Sequence, residues 1–392
     1  MSTTDLPVLV DALRRALDGG APVAPLPRLT AAPPPAGTAV VVRTSGSTGT
    51  PREVALGAAA LRASATATHE RLGGAGRWVL TLPPTHVAGV QVLVRSLLAG
   101  RAPVAAPDGP FTPAGLAELL AEPLRGDDPV HLSLVPTQLH RVVEAADGGE
   151  PAALHALARC GAVLLGGAAT PPGLLARAHD AGVPVVRTYG MSETAGGCVY
   201  DGVALPGVRV RLADGVVELA GPTLASGYVG DDAATAAAFV DGPDGRWFRT
   251  SDLGTVEDGV LRVLGRADDV VVTGGVNVAP AAVEAVLGEL LDAEVCVVGV
   301  PDDEWGQAVV AVCSAPGRAG AVPDGRGDPP ADAAAVPVGA AELARVRAAV
   351  ADRLGAAAAP RQVYRVPALP LRGPGKVDRA AVVDLVPAGT AR

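Results

Sequence analysis

At 392 residues, 49% of them hydrophobic but only 3% aromatic, the chain is long enough for more than one domain, with cores filled by alanine, valine and leucine. A formal net charge of −9 argues against a general nucleic-acid binder, and no apolar run approaches the ~18 residues of a membrane span. Cys160, Cys198, Cys296 and Cys313 form no C-x-x-C pair and read as buried free thiols in a reducing compartment; with no signal segment at the start, a cytoplasmic setting is expected.

Residues 5–18, DLPVLVDALRRALD, have the spacing of an amphipathic helix. A Pro/Ala-rich connector (30–37) leads into a β-branched strand that runs into a Gly/Ser/Thr loop, TAVVVRTSGSTGTPREV. From there to about residue 200, strand-like runs (RWVLTL, VHLSLV, AVLLGG, VPVVRTYG) alternate with Ala/Leu-rich helical stretches, which predicts a layered α/β domain. Between about 203 and 273 the texture changes to short strands with tight turns, and Asp258-Gly259 between apolar alternations marks a hairpin. After GRADD (265–269) it changes again, so a domain boundary is placed at 266–268. Two strands around an acidic loop follow, then a low-complexity stretch at 316–339 that reads as a flexible insertion, then a helix near 340–354.

Several segments carry chemistry-bearing residues. TSGSTGTPRE (44–53) puts hydroxyls and glycines directly after a strand, a composition suited to cradling phosphates, but it is neither a Walker A loop nor a nucleophile elbow. YGMSET (189–194) sets an aromatic ring that could stack on a base beside a carboxylate that could hold Mg²⁺. LLGGAAT (164–170) is a second strand ending in a glycine pair, and WFRTSDLG (247–254) places Asp252 where a carboxylate could accept from a ribose diol. Each segment taken alone reads equally as an ordinary turn or cap. Of the 32 Lys+Arg residues a single one, Lys376 in LRGPGKVDR, is lysine. Arginine replaces lysine wherever a solvated charge suffices, but not where a compact ammonium on a flexible stem must reach a small target.

In this order and spacing the segments resemble the acyl-adenylate-forming enzymes, the superfamily of acyl-CoA ligases, luciferases and peptide-synthetase adenylation domains. The resemblance runs from about residue 40 to 380. It implies an α/β fold: a large N-terminal layered α/β domain with a distorted β-barrel-like subdomain (1–266, ATP and acyl pocket), plus a small mobile α+β C-terminal lid domain (267–392) carrying the catalytic lysine. It implies that Thr44, Ser45, Gly46, Ser47, Thr48 and Gly49 grip the ATP phosphates, with Arg52 where the family usually has lysine. Gly166, Gly167, Ala168 and Tyr189 would flank the adenine within a nucleotide site that includes Gly190, Met191 and Ser192. Thr194 would touch the α-phosphate, Glu193 would bind Mg²⁺, Asp252 and Arg266 would hold the ribose, and Asp268 would be the hinge. Lys376 would be catalytic, bridging the attacking carboxylate and the α-phosphate. Gly274, Gly275 and Asn277 would line the path of CoA, the co-substrate.

Within the superfamily the chain looks most like the ligases that join o-succinylbenzoate to CoA in menaquinone biosynthesis. His86 sits where many members have an acyl-pocket gate, and Arg95 follows nine residues later, a cation that could match the spare carboxylate of a dicarboxylate. An unbroken helix from His86 would put Arg95 on its opposite face, so the pairing requires His86 to lie before the helix. Expected partners are therefore a small carboxylic acid, ATP and CoA, with no nucleic acid and no membrane insertion; a homodimer stays open. Adenylation of another aryl or fatty acid, or a non-catalytic acyl-adenylate-binding protein, are the alternatives.

Overall fold

The computed structural model describes residues 5–44, 51–106, 109–291, 293–314, 335–372 and 376–387, with the backbone alone for Arg372 and Lys376. A seven-stranded sheet runs in the order Val104–Ala105, Arg77–Leu80, Val130–Leu134, Ala162–Leu165, Val185–Met191, Gly196–Tyr200, Val203–Ala204. The first five strands are parallel and the last two antiparallel. Side chains alternate across a strand, so Trp78, Leu80 and Leu164 enter one core while Val79, Val163 and Leu165 enter another on the opposite face. The helix Val87–Leu98 packs into the first core; Pro136–Asp147 and Ala152–Ala158 pack into the second. Burial on both faces is what a parallel sheet requires, and it explains the near-continuous apolar reading of these strands.

Two antiparallel sheets occupy the place of the expected barrel-like unit. One has three strands, Thr38–Thr44, Arg52–Gly57 and Gly227–Tyr228; the other has five, built around the long strand Gly245–Glu257. The predicted hairpin joins Gly245–Glu257 to Val260–Arg266, with Asp258 (φ 50°) and Gly259 (φ 79°) both left-handed as its two-residue turn demands. The helix expected at 5–18 spans Leu6–Leu17 and buries Leu9, Leu13, Ala16 and Leu17.

The chain leaves the five-stranded sheet at Arg266 and enters a six-stranded one at Val271. There, Val297, Val309 and Ala311 meet helices Pro280–Leu291 and Ala340–Leu354, while Val298, Val310 and Val312 share the other core with Val382 of helix Arg379–Leu385. The reading of 316–339 as one flexible insertion needs correction at its end. Val336–Pro337 is a strand paired with Tyr364 and Arg365, and Ala335 is buried; residues 315–334 lie outside the described residues. A proline on an outer strand leaves no broken hydrogen-bond ladder, so a Pro-rich composition hid a paired segment. The four cysteines are buried and free. Among the described residues no helix is long and apolar enough to cross a membrane.

Candidate active site

Tyr189 ties strand Val185–Met191 to the long strand Gly245–Glu257, donating its hydroxyl to Asp252 Oδ2 at 2.7 Å. Asp252 is fixed further by its own amide, which donates to Thr250 Oγ1 at 2.9 Å, and it pairs across the hairpin with Arg266, whose Nη1 lies 3.7 Å from Oδ1. Burial and the neighbouring Asp252 charge both push the Tyr189 phenol up, so it stays a neutral donor. Arg266 also reaches Asp268, Nη2 to Oδ2 at 2.6 Å. One guanidinium thus touches both the expected ribose carboxylate and the expected hinge residue. Gly166 ends the strand Ala162–Leu165, next to the one that carries Tyr189, and lies against Thr188: a Cβ there would sit 2.3 Å from the Thr188 hydroxyl.

Beyond Tyr189 the chain makes a sharp turn. A side chain at Gly190 would lie 2.2 Å from the Gly196 carbonyl, so only glycine admits the strand that folds back. Ser192–Thr194 is a single 3₁₀ turn ending on Ala195 in the left-handed region (φ 51°). Thr194 is fully buried; its hydroxyl donates to Gly196 O at 2.8 Å and accepts from Met191 N at 3.0 Å. This hydroxyl closes the turn that presents Glu193, and Thr194 is also the residue expected at the α-phosphate. The Glu193 carboxylate accepts from Tyr228 Oη at 2.9 Å.

Among the described residues no cluster of three or more His, Cys, Asp or Glu could cage a metal. A single carboxylate suits Mg²⁺ held mainly by substrate phosphates and water. Thr44 ends its strand opposite Arg52, and the Arg52 guanidinium lies 5.1 Å from the centre of the Tyr228 ring. Ser45, Gly46, Ser47, Thr48 and Gly49 lie outside the described residues. Gly274-Gly275 forms the two-residue turn between Val271–Thr273 and Val276–Val278, with exposed Asn277 on the second strand and the Trp305 ring packed against Gly274. Lys376 pairs with Arg372 in a short hairpin, and nearby Arg379 is anchored to Asp269 at 2.9 Å and Glu284 at 2.7 Å.

His86 does precede the helix, as the cap of Val87–Leu98 with extended backbone (φ −112°, ψ 155°). Arg95 is not brought to it. Nine residues at about 1.5 Å each set it about 13 Å further along the axis. There it is buried, its guanidinium 4.8 Å from the centre of the Trp78 ring and Nη2 3.3 Å from Tyr200 Oη. Gln91, one turn earlier on the same face, donates to Ala195 O at 2.7 Å. Arg95, the residue expected to meet a substrate carboxylate, thus packs the helix onto strand Gly196–Tyr200.

Residues 4–229 match the AMP-binding enzyme family and residues 282–376 match the AMP-binding enzyme C-terminal domain. This chain belongs to the AMP-binding enzyme family. It is 46% identical over 355 residues to a Mycobacterium tuberculosis protein described as "Probable 2-succinylbenzoate--CoA ligase", covering 88% of this chain and 84% of that one. A 2-succinylbenzoate–CoA ligase of Listeria monocytogenes is 33% identical over 291 residues, 70% of this chain and 59% of the relative. Among solved structures, the Bacillus subtilis o-succinylbenzoate CoA synthetase in complex with its acyl-adenylate intermediate superposes with a TM-score of 0.69 at 26% identity. It covers 88% of this chain and 69% of that one. An amide bond synthetase from Marinactinospora thermotolerans gives a TM-score of 0.71 at 28% identity, covering 89% and 69%.

Within this AMP-binding fold two residues absent from the motif reading stand at the site. Thr250 fixes the Asp252 amide and donates to Val217 O at 2.8 Å. It lies inside RTSDLG, and its place two residues before the carboxylate is a local signal that could have found it. Tyr228 contacts Glu193 across 35 residues of sequence, and only the three-stranded sheet brings it there.

Proposed function

We propose that this protein is an AMP-forming acid–CoA ligase acting on o-succinylbenzoate. The observation that carries the reading is the joined set Tyr189–Asp252–Arg266 beside the Glu193 turn, in a chain nearly half identical to a relative bearing that ligase name. Residues 1–266 would form the adenylating domain and 267–392 a lid turning about Asp268, in a cytoplasmic enzyme.

In the first half-reaction a substrate carboxylate oxygen attacks the α-phosphorus of ATP. A P–O bond forms, the bond to pyrophosphate breaks, and acyl-AMP remains. Asp252 and Arg266 orient the ribose, Tyr189 faces the adenine, and Thr44, Ser45, Ser47, Thr48 and Arg52 hold the phosphates. Glu193 would hold Mg²⁺, which supplies charge neutralisation on the phosphate oxygens. Lys376 stabilises charge on the attacking oxygen and the α-phosphate together. In the second, the lid turns, Gly274, Gly275 and Asn277 admit CoA, its thiolate attacks the acyl carbon, and AMP leaves. His86 is kept as the acyl-pocket residue.

Pyrophosphate release over a panel of carboxylic acids, with and without CoA, tests this. o-Succinylbenzoate should give pyrophosphate in both arms and thioester plus AMP only with CoA. A preference for a monocarboxylic or long-chain acid would replace the substrate, and pyrophosphate without thioester would end the reaction at the adenylate. Silence with every acid would make the chain a binding protein.

A further inference from the structure

We propose that Tyr228 is a positioning residue for the Glu193 carboxylate, locking it to the strand that follows the phosphate loop. The inference rests on the reading of Glu193 as the magnesium-side carboxylate. Glu193 stands on a three-residue turn, where its own backbone does little to orient a long, rotamer-rich side chain. Tyr228 supplies a constraint from another strand: its hydroxyl donates to Oε1 at 2.9 Å. A hydrogen bond to an ionised acceptor is among the stronger kinds, and fixing one oxygen fixes the direction of the other.

The tyrosine is itself firmly held. Tyr228 pairs with Val54 and Gly227 with Ala55 on the strand Arg52–Gly57. Its amide donates to Thr235 Oγ1 at 2.9 Å, and Phe239 meets its ring edge-on with centroids 6.0 Å apart. The same short segment grips the Glu193 main chain, Ala225 N donating to Glu193 O at 2.8 Å. Burial first, then the Glu193 charge, push the phenol up from its ordinary value, so the tyrosine keeps its proton and donates it. Arg52 over the ring, from the first position of that strand, completes a unit in which the phosphate-side cation and the metal-side carboxylate share one aromatic support.

Tyr228→Phe removes the hydroxyl, with its interactions with Glu193 and Arg52, and keeps the ring, its packing and the Arg52 contact with the ring face. The probe is Mn²⁺, titrated by electron paramagnetic resonance into full-length protein saturated with a non-hydrolysable ATP analogue; AMP affinity is measured alongside. Y228F should weaken Mn²⁺ about tenfold, the size of a lost hydrogen bond to a charge, while AMP affinity and melting temperature stay within error. Glu193→Gln is the reference arm. If E193Q weakens Mn²⁺ and Y228F binds it like wild type, the role of Tyr228 is refuted. If Y228F loses Mn²⁺ and AMP affinity equally, or melts early, the residue is only structural and the proposal falls. If E193Q leaves Mn²⁺ affinity unchanged, the assignment of Glu193 itself fails.

Discussion

Arg266 and Arg95 carry the same charge into opposite settings. Arg266 is partly exposed at the end of a strand, between two carboxylates, Asp252 at 3.7 Å and Asp268 at 2.6 Å. Arg95 is 3% exposed, and among the described residues no carboxylate lies within ion-pair distance of it. It is held instead by the Trp78 ring and the Tyr200 hydroxyl, and burial depresses its pKa, which the Tyr200 oxygen only partly offsets. The first arginine sits in contacts that a ligand or a domain rotation could exchange. The second sits where nothing can move without opening the core. Charge at an accessible seam is available for chemistry; charge locked under aromatic rings serves the packing of one helix.

The largest effect should come from the seam side. Lys376→Ala is expected to slow adenylation by about a thousandfold, the scale of removing one electrostatic stabiliser of a developing charge, while the melting temperature stays within error. Thioester formation from supplied acyl-adenylate should be largely retained, because the lid would have carried this residue away before that step. Single-turnover assays of the two half-reactions decide it. Equal losses in both would erase the distinction between a lid that switches roles and one that only closes.

A smaller effect, of a different kind, is expected from Arg95. Arg95→Ala leaves a cavity beneath Trp78 and takes the donor from Tyr200, so it should cost about 2–4 kcal/mol of stability. Arg95→Met keeps the volume and removes the buried charge; it should be close to neutral or stabilising. Chemical denaturation separates the two. Neither change should alter the ratio of KM values for dicarboxylic and monocarboxylic acids. A selective rise for the dicarboxylate in R95M would return Arg95 to the substrate and dissolve the contrast with Arg266.

The parts of this molecule legible in its sequence are those governed by neighbours along the chain. Helix Leu6–Leu17, the Asp258-Gly259 hairpin and the strand pair flanking residues 303–305 follow from periodicity and turn chemistry within a dozen residues. Tyr189, Glu193 and Asp252 were legible because each lies in a compact motif. What was hidden depends on distant partners. A nine-residue step marks Arg95 as off the His86 face, but only the packing on strand Gly196–Tyr200 reveals that its target is Trp78 and Tyr200. Tyr228 looks like one more strand residue until the sheet sets it against Glu193. The Thr194 hydroxyl is drawn inward by a left-handed Ala195 that no sequence rule would place there.

The smallest effect expected on the buried side is a pH dependence centred on His131. Its ring is boxed in by Gly76 and Gly161, lies tilted against Trp78 with centroids 5.2 Å apart, and has neither nitrogen hydrogen-bonded. Burial first, then the neighbouring His69 and Arg95, lower its pKa to about 4. His69, which accepts from Trp78 Nε1 at 3.1 Å, is lowered for the same reason, burial first and then Arg95. Between pH 4 and 6.5 the unfolded chain therefore binds a proton at His131 that the folded chain refuses. Stability must fall as pH drops through that window, by about 2 kcal/mol at pH 5 relative to neutral pH, and the loss levels off below 4. Urea melts of wild type and His131→Asn at pH 7.5 and pH 5 measure this: the variant should be less stable at pH 7.5 but show a visibly smaller acid loss. Arg95→Met should reduce the acid loss by less than His131→Asn does, because burial, the main cause of the lowered pKa, remains when the Arg95 charge is removed. An acid loss unchanged by either substitution would mean that the titrating group lies elsewhere and that this cluster is electrostatically silent.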